Sequence, residues 1–292
     1  MATTTSTTAS SIGVDNTVFH PTDLTSRYEI RRLGPEHSEW ATAIAMHSNL
    51  YHSAIFSVCY PSNKIKHFNI GMHEAAYLVD HQIASGMSFG VFDTEYVYKH
   101  ASSSPSHGAF LYDYSSRDPS EEQSRLTGTD ILERMDFPLV SIALAYDAIN
   151  ALDLARIQPM IELLPLYGVI FRVMNELDPR TEESWAPTGP GQVLMRNATA
   201  TRRDYEGRGL MAALARFLMR EASAKGFKGI QIESLSDSLT HVWMHPPAPF
   251  KGTVFGQTSA ATYEEKDEKT GEMVKPFAPS KQQITRIWVA LA

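Results

Sequence analysis

The sequence predicts a mixed α/β fold of the α+β kind, a sheet flanked by helices, and three observations carry that reading. The first is the stretch 193–233. A polar, β-prone run to Thr201 enters a Gly207-x-Gly209 loop, opens into a helix whose Leu210, Leu214, Phe217 and Leu218 share one face, and returns through a short apolar run at Ile230 and Ile232. The second is the succession of strand-like and helical stretches on either side of it, with no internal repeat. The third is size: 292 residues, 43% of them hydrophobic, suffice for one large core.

Taken in order, Met1 to Asn16 is rich in Ser and Thr and carries no Lys, Arg or apolar block. Residues 1–24 are therefore expected to be a disordered leader rather than a secretory or mitochondrial signal, and 25–292 a single domain. Residues 28–33 alternate as a first strand, broken by Gly34-Pro35, and Trp40, Ile44 and Met46 predict a helix over 36–49. The apolar run 51–60 reads equally as helix or buried segment. A helix is expected over 69–85 with Gly86 as its stop, then a strand from Phe89, and a Ser/Pro-rich excursion over 99–127 whose composition reads as an exposed loop or lid. Residues 137–146 predict a strand. A helical insertion with its linker follows over 150–190, with short helices at 153–164 and 166–177. After the central stretch, Ser236 is placed to cap a helix running to Met244, and 253–263 and 284–291 read as closing strands joined by a charged connection over 264–272.

The formal net charge of −7 argues against nucleic acid or an anionic membrane as partner, and no apolar run approaches the ~18 residues of a membrane span. The lone Cys59 rules out an intramolecular disulfide, and a cytoplasmic location is expected.

The chemistry-bearing feature is the loop. Gly207 and Gly209 let the backbone approach a ligand, and the free N–H groups of the helix that follows favour an anion. Arg202, Arg203 and Arg208 add positive charge, so a pyrophosphate fits. Lys225-Gly226 closes the helix as a C-cap. The dinucleotide fingerprint is not met, because a third glycine and an apolar strand before the loop are missing.

Asp204-Tyr205-Glu206-Gly207-Arg208-Gly209, followed by this helix, resembles the acyl-CoA loop of the GNAT superfamily of N-acetyltransferases, which reads Gln/Arg-x-x-Gly-x-Gly/Ala. The order of elements over the chain is similar to that family too. The resemblance implies a mixed sheet splayed at its centre, an acyl-CoA-binding core at 192–235, and acetyl-CoA as the acyl-donor co-substrate. The donor seat would comprise Asn197, Ala198, Thr199, Ala200, Thr201, Arg202, Arg203, Asp204, Tyr205, Glu206, Gly207, Arg208, Gly209 and Leu210. Asp204 departs from the family pattern, and with Glu206 it puts two carboxylates beside an anion site. The helical insertion looks like that of the arylalkylamine branch, which implies a small-molecule amine as acceptor.

Direct transfer needs a base for the ammonium and an acid for the departing thiolate. Glu233, His47 and His52 are the candidate bases, and Ser236 and Ser238 the candidate acids, with Ser236 equally readable as a helix cap. A catalytically silent acyl-CoA-binding module and a protein or peptide lysine acetyltransferase remain alternatives. No metal is expected: His241 and His245 have the i, i+4 spacing, but Val242 stands where the metalloprotease pattern needs Glu, and the five histidines from His47 to His81 lack partners at ligand spacing.

Overall fold

The computed structural model describes residues 18–19, 24–267 and 269–291. Most of the 1–24 stretch expected as a leader lies outside them; within it, Val18–Phe19 (β1) pairs with Tyr28–Arg32 (β2). Helices Ser38–Tyr51 (α1), Phe56–Cys59 (α2), Lys64–Glu74 (α3) and Ala76–Ala84 (α4) come next. The helix expected over 69–85 is thus two, and the first begins earlier because Ile65 and Phe68 extend its buried face. Phe89–Asp93 (β3) returns to the sheet, and a small ribbon of Ala109–Phe110 (β4) and Met135–Asp136 (β5) encloses Gly128–Glu133 (α5).

Leu139–Asp147 (β6) leads to Leu154–Leu163 (α6), Leu166–Leu177 (α7) and Glu182–Trp185 (α8). The central stretch forms Val193–Thr201 (β7), Leu210–Ala224 (α9) and Gly229–Ser234 (β8). Asp237–Met244 (α10), Lys251–Ser259 (β9), the hairpin of Glu265–Lys266 (β10) and Met273–Val274 (β11), and Gln283–Ala290 (β12) complete the chain.

The main sheet runs β1-β2-β3-β6-β7-β8-β12-β9. Every neighbouring pair is antiparallel except β7 and β8, which pair in parallel only from Val193↔Gly229 to Arg196↔Ile232. Beyond that point β7 stays with β6 as far as Ser141↔Thr201, while β8 stays with β12 through Thr285↔Ser234. The sheet therefore opens at its centre, as the splayed sheet requires. A register shift between Leu144 and Ala145 leaves Asn197 without an opposite residue, a bulge at the mouth of the opening.

Strand alternation sorts the core into two layers. Leu144 faces α1 to α7 with Ile44, Phe56, Phe68, Val79 and Ile170; Ala143 and Ala145 face α9 and α10 with Leu214, Leu218 and Trp243. At about 1.5–3 kcal/mol for each large apolar side chain fully buried, Leu210, Leu214 and Leu218 hold α9 firmly enough to fix its first turn in space. That turn stands at the opening.

Residues 99–127, expected to be an exposed loop or lid, are exposed over much of their length and are anchored at a few buried side chains. Ser103, Phe110 and Tyr112 are buried, Tyr112 donates to Asn69 Oδ1 at 2.7 Å, and Asp136 accepts the N–H groups of Lys99 and His100, each at 2.9 Å. The alternating Phe110 and Tyr112 side chains explain the anchoring. No single helix among the described residues is long and apolar enough to cross a membrane.

Candidate active site

A single cavity of about 630 Å³ begins at the glycine loop, follows the open edge of β7, passes the ends of β8 and α10, and finishes among α1, α2, α4 and α7. Its outer end is backbone. Gly207 and Gly209 have φ of +75° and +76°, a conformation costly for any residue with a side chain, and a methyl group built on either would meet no atom within 4 Å. Conformation and the space before them, not packing, therefore call for glycine. Gly209 caps α9 with no side-chain hydrogen bond, and the first intrahelical bond runs from Ala213 N–H to Gly209 O at 3.0 Å. The N–H groups of Leu210, Met211 and Ala212 precede that bond, and all three residues border the cavity.

Two of the three arginines around the loop are paired with its two carboxylates. Arg202 does not add positive charge beside the seat: it is 1% exposed, donates to Asp204 Oδ2 at 2.8 Å and to the Phe137 carbonyl at 2.8 Å, and is turned into the core. Asp204 is thereby neutralised and Glu206 is held by Arg203, so the two carboxylates expected to oppose an anion are already paired. Arg208 donates to Tyr28 Oη at 2.8 Å and to the Asp204 carbonyl at 3.0 Å. Tyr205 donates to Asp93 Oδ2 at 2.7 Å, which ties the loop to β3. Of the residues expected to form the donor seat, Asn197, Ala198, Thr199, Ala200, Thr201, Tyr205, Glu206, Gly207, Arg208, Gly209 and Leu210 border the cavity; Arg202, Arg203 and Asp204 do not.

The inner end is built from side chains. Glu233, Ser236, Ser238 and His52 all border the cavity. Burial pushes the Glu233 carboxyl above its ordinary range, against the pull of Arg286, whose Nε donates to it at 2.9 Å. Arg286 also faces Asp178 at 3.5 Å, and Asp178 accepts two bonds from Arg180. Ser236 caps α10 by accepting the Leu239 N–H at 3.3 Å, and its hydroxyl lies 2.7 Å from that of Ser238. Half-buried His52 is held below the usual imidazole range by burial and by Arg203.

His47 is a correction. It is 2% exposed, donates from Nε2 to the Gly128 carbonyl at 2.8 Å and does not border the cavity; burial lowers its pKa to about 4. It packs α1 against α5 and has no path to a substrate amine.

Sequence reasoning missed the side chain of Arg196 and the Asp178–Arg286 pair behind Glu233, along with Tyr167, whose hydroxyl accepts from Asn49 Nδ2 at 2.7 Å within the cavity wall. The one available signal was Arg196 itself, a charge in the middle of a buried strand. Among the described residues no group of three or more His, Cys, Asp or Glu side chains is disposed to hold a metal.

No family model and no curated protein matches the sequence. Solved structures do. The chain is similar to a putative arylalkylamine N-acetyltransferase 7 from the yellow fever mosquito Aedes aegypti, with a TM-score of 0.57 and 12% identity over 97% of this chain and 98% of that one. It is similar to arylalkylamine N-acetyltransferase 2 from Aedes aegypti, with a TM-score of 0.54 and 7% identity over 91% of this chain and 100% of that one. It is similar also to the C-terminal condensation domain of Ebony in complex with beta-alanyl-dopamine, with a TM-score of 0.54 and 17% identity over 89% and 97%. With its sheet opened between β7 and β8 and α9 starting at that opening, the chain has the GNAT-type fold of the arylalkylamine N-acetyltransferases.

Proposed function

We propose that this protein transfers an acetyl group from acetyl-CoA directly to the amine of a small molecule. The observation that carries the reading is the continuity of one cavity from the free amides of α9 to Glu233 and Ser238. The residues present fit the donor: two glycines at positive φ leave open space in front of three amides that have no hydrogen-bond partner among the described residues, the arrangement that holds a pyrophosphate, with the Arg208 side chain beside it. When bound, acetyl-CoA supplies the activated thioester.

The chain's own groups then have separable tasks. The edge of β7 from Asn197 to Thr201, with no strand beside it, offers backbone donors and acceptors to a linear amide chain. Glu233, with its carboxyl raised by burial, takes one proton from the acceptor ammonium; as the C–N bond forms and the C–S bond breaks, the Ser238 hydroxyl gives its proton to the leaving sulfur and regains one from the nitrogen of the new amide. Ser236, occupied as a cap, positions Ser238. The inner end is walled by α1, α2, α4 and α7, which favours a small acceptor over a protein lysine, and the arylalkylamine acetyltransferases of the same fold support that choice.

A catalytically silent acyl-CoA-binding module is favoured by one observation, the Glu233–Arg286 ion pair, since a carboxylate held by a guanidinium is a weaker base. Thiol release from acetyl-CoA against a panel of arylalkylamines, polyamines, amino acids and aminosugars separates the two. Turnover with any of them supports transfer; tight CoA binding with no turnover supports the silent module.

A further inference from the structure

Where the sheet opens, the cavity wall carries a charge that the protein does not balance. Arg196 lies on β7 at the last rung before the sheet opens, opposite Ile232. It is 2% exposed, borders the cavity, and stands 5.7 Å from the Trp243 ring on the α9 and α10 side of the sheet. Its Nε and Nη2 have no hydrogen-bond partner among the described residues, and neither does the neighbouring Trp243 Nε1. The other charges nearby are already committed: Glu233 to Arg286, Arg286 also to Asp178, and Asp178 to Arg180. Three guanidiniums thus share two carboxylates, and Arg196 is the one left without a direct contact. Burial lowers its pKa to about 9, which leaves it cationic at neutral pH.

A buried cation with unmet donors destabilises a fold by several kcal/mol, more than the packing of its stem returns. A plain apolar residue at this strand position would match Leu194, which faces the same layer. An acetyl group offers Arg196 only a neutral carbonyl oxygen and a simple ammonium offers it no acceptor, so neither balances its charge in the bound state. A carboxylate does, and it would accept two of the guanidinium's N–H groups side by side.

We infer that the cavity accepts, where β7 and β8 part, a substrate bearing a carboxylate, which pairs with Arg196. The carboxylate belongs either to the acyl chain of the donor or to the amine acceptor. The inference rests on the acyl-CoA reading above for the identity of the outer end, and it replaces a featureless amine and acetyl group with an acidic partner for one of them. Arg196 selects the substrate, and Glu233 remains the proton acceptor.

The test measures binding first. Isothermal titration of the full chain compares succinyl-CoA with acetyl-CoA for the donor arm, and glutamate and β-alanine with ethylamine, in the presence of CoA, for the acceptor arm. One arm is expected to show a preference of about tenfold or more for the carboxylate, and Arg196→Met is expected to bring that ratio to about one. Arg196→Lys, which keeps the charge without the planar fork, should retain part of it. The comparison of ligands on the unaltered protein needs no variant, so a misfolded Arg196→Met leaves the test intact. Tight acetyl-CoA binding with no carboxylate preference in either arm overturns this inference alone, as does a preference that Arg196→Met leaves unchanged. Absence of binding by any CoA ester overturns the acyl-CoA reading and this inference with it.

Discussion

The outer end of the cavity is bordered by backbone amides of Gly207, Gly209 and the first turn of α9; Arg202 and Arg203 there are paired with Asp204 and Glu206, and Arg208 is held by Tyr28. Farther in, the cavity is bordered by side chains, Arg196 where the sheet opens and Glu233, Ser238 and His52 beyond it, and the charges of Arg196 and Glu233 are buried and only partly matched. The outer end tolerates sequence change because any residue supplies an N–H, whereas each inner group is specified by its chemistry. A departure such as Asp204 from the family loop pattern is therefore absorbed by Arg202, while the inner end has no comparable slack.

The largest effect is expected from Gly209→Asp. It forces a side chain into φ +76° and sets a carboxylate before the amides, so donor affinity measured by calorimetry should fall by about 1,000-fold or more. Unchanged affinity would remove the backbone seat altogether. Next in size, Glu233→Gln should lower kcat by about 100-fold or more while leaving CoA binding near its original value. A carboxylate base works only when ionised, so if Glu233 has the proposed role turnover should fall as pH drops through its pKa, which burial holds above the ordinary carboxylate range. Glu233→Gln should erase that acidic limb; if the limb survives, the base lies elsewhere, with His52 the next to substitute.

His47 sharpens the comparison from behind the cavity wall. Its folded pKa of about 4 lies below the unfolded value of 6.5, so the unfolded chain binds more protons between those values. The stabilisation is fully present above pH 6.5 and is lost as pH falls toward 4, up to roughly 3 kcal/mol. Urea titrations at pH 7 and pH 5 should show this loss, and His47→Gln, which keeps a donor for the Gly128 carbonyl, should flatten it without removing the acidic limb of turnover. The smallest effect is expected at Arg203→Ala. This side chain is exposed, pairs only with Glu206 and does not border the cavity, so donor affinity should change by about twofold or less and the difference should vanish in high salt. A tenfold loss would mean that side-chain charge matters at the outer end after all.

The same contrast explains what the sequence disclosed. A Gly-x-Gly turn opening a helix is a local requirement on φ and on free amides, and local requirements are written in adjacent residues. The order of elements was legible for a similar reason, since the periodicities of β6, α9 and β8 are local. The balance of charge at the inner end was not. Asp178, Arg196, Glu233 and Arg286 come from four separate segments and meet only because β7, β8 and β12 are neighbours in the sheet. His47 and His52 looked equivalent in the sequence, five positions apart. Only the Gly128 carbonyl on α5, far along the chain, decides that the first is packed while the second reaches the cavity.

The four-rung pairing of β7 with β8 has a mechanical consequence. Past Arg196 and Ile232 the two halves of the sheet have no ladder between them, so a linear ligand lying there acts as a missing strand and becomes part of the scaffold it binds to. Occupancy at 100 times its Kd would add about 2.7 kcal/mol to the cohesion of the two halves. Slowed amide exchange along Asn197 to Thr201 would record that stitching directly.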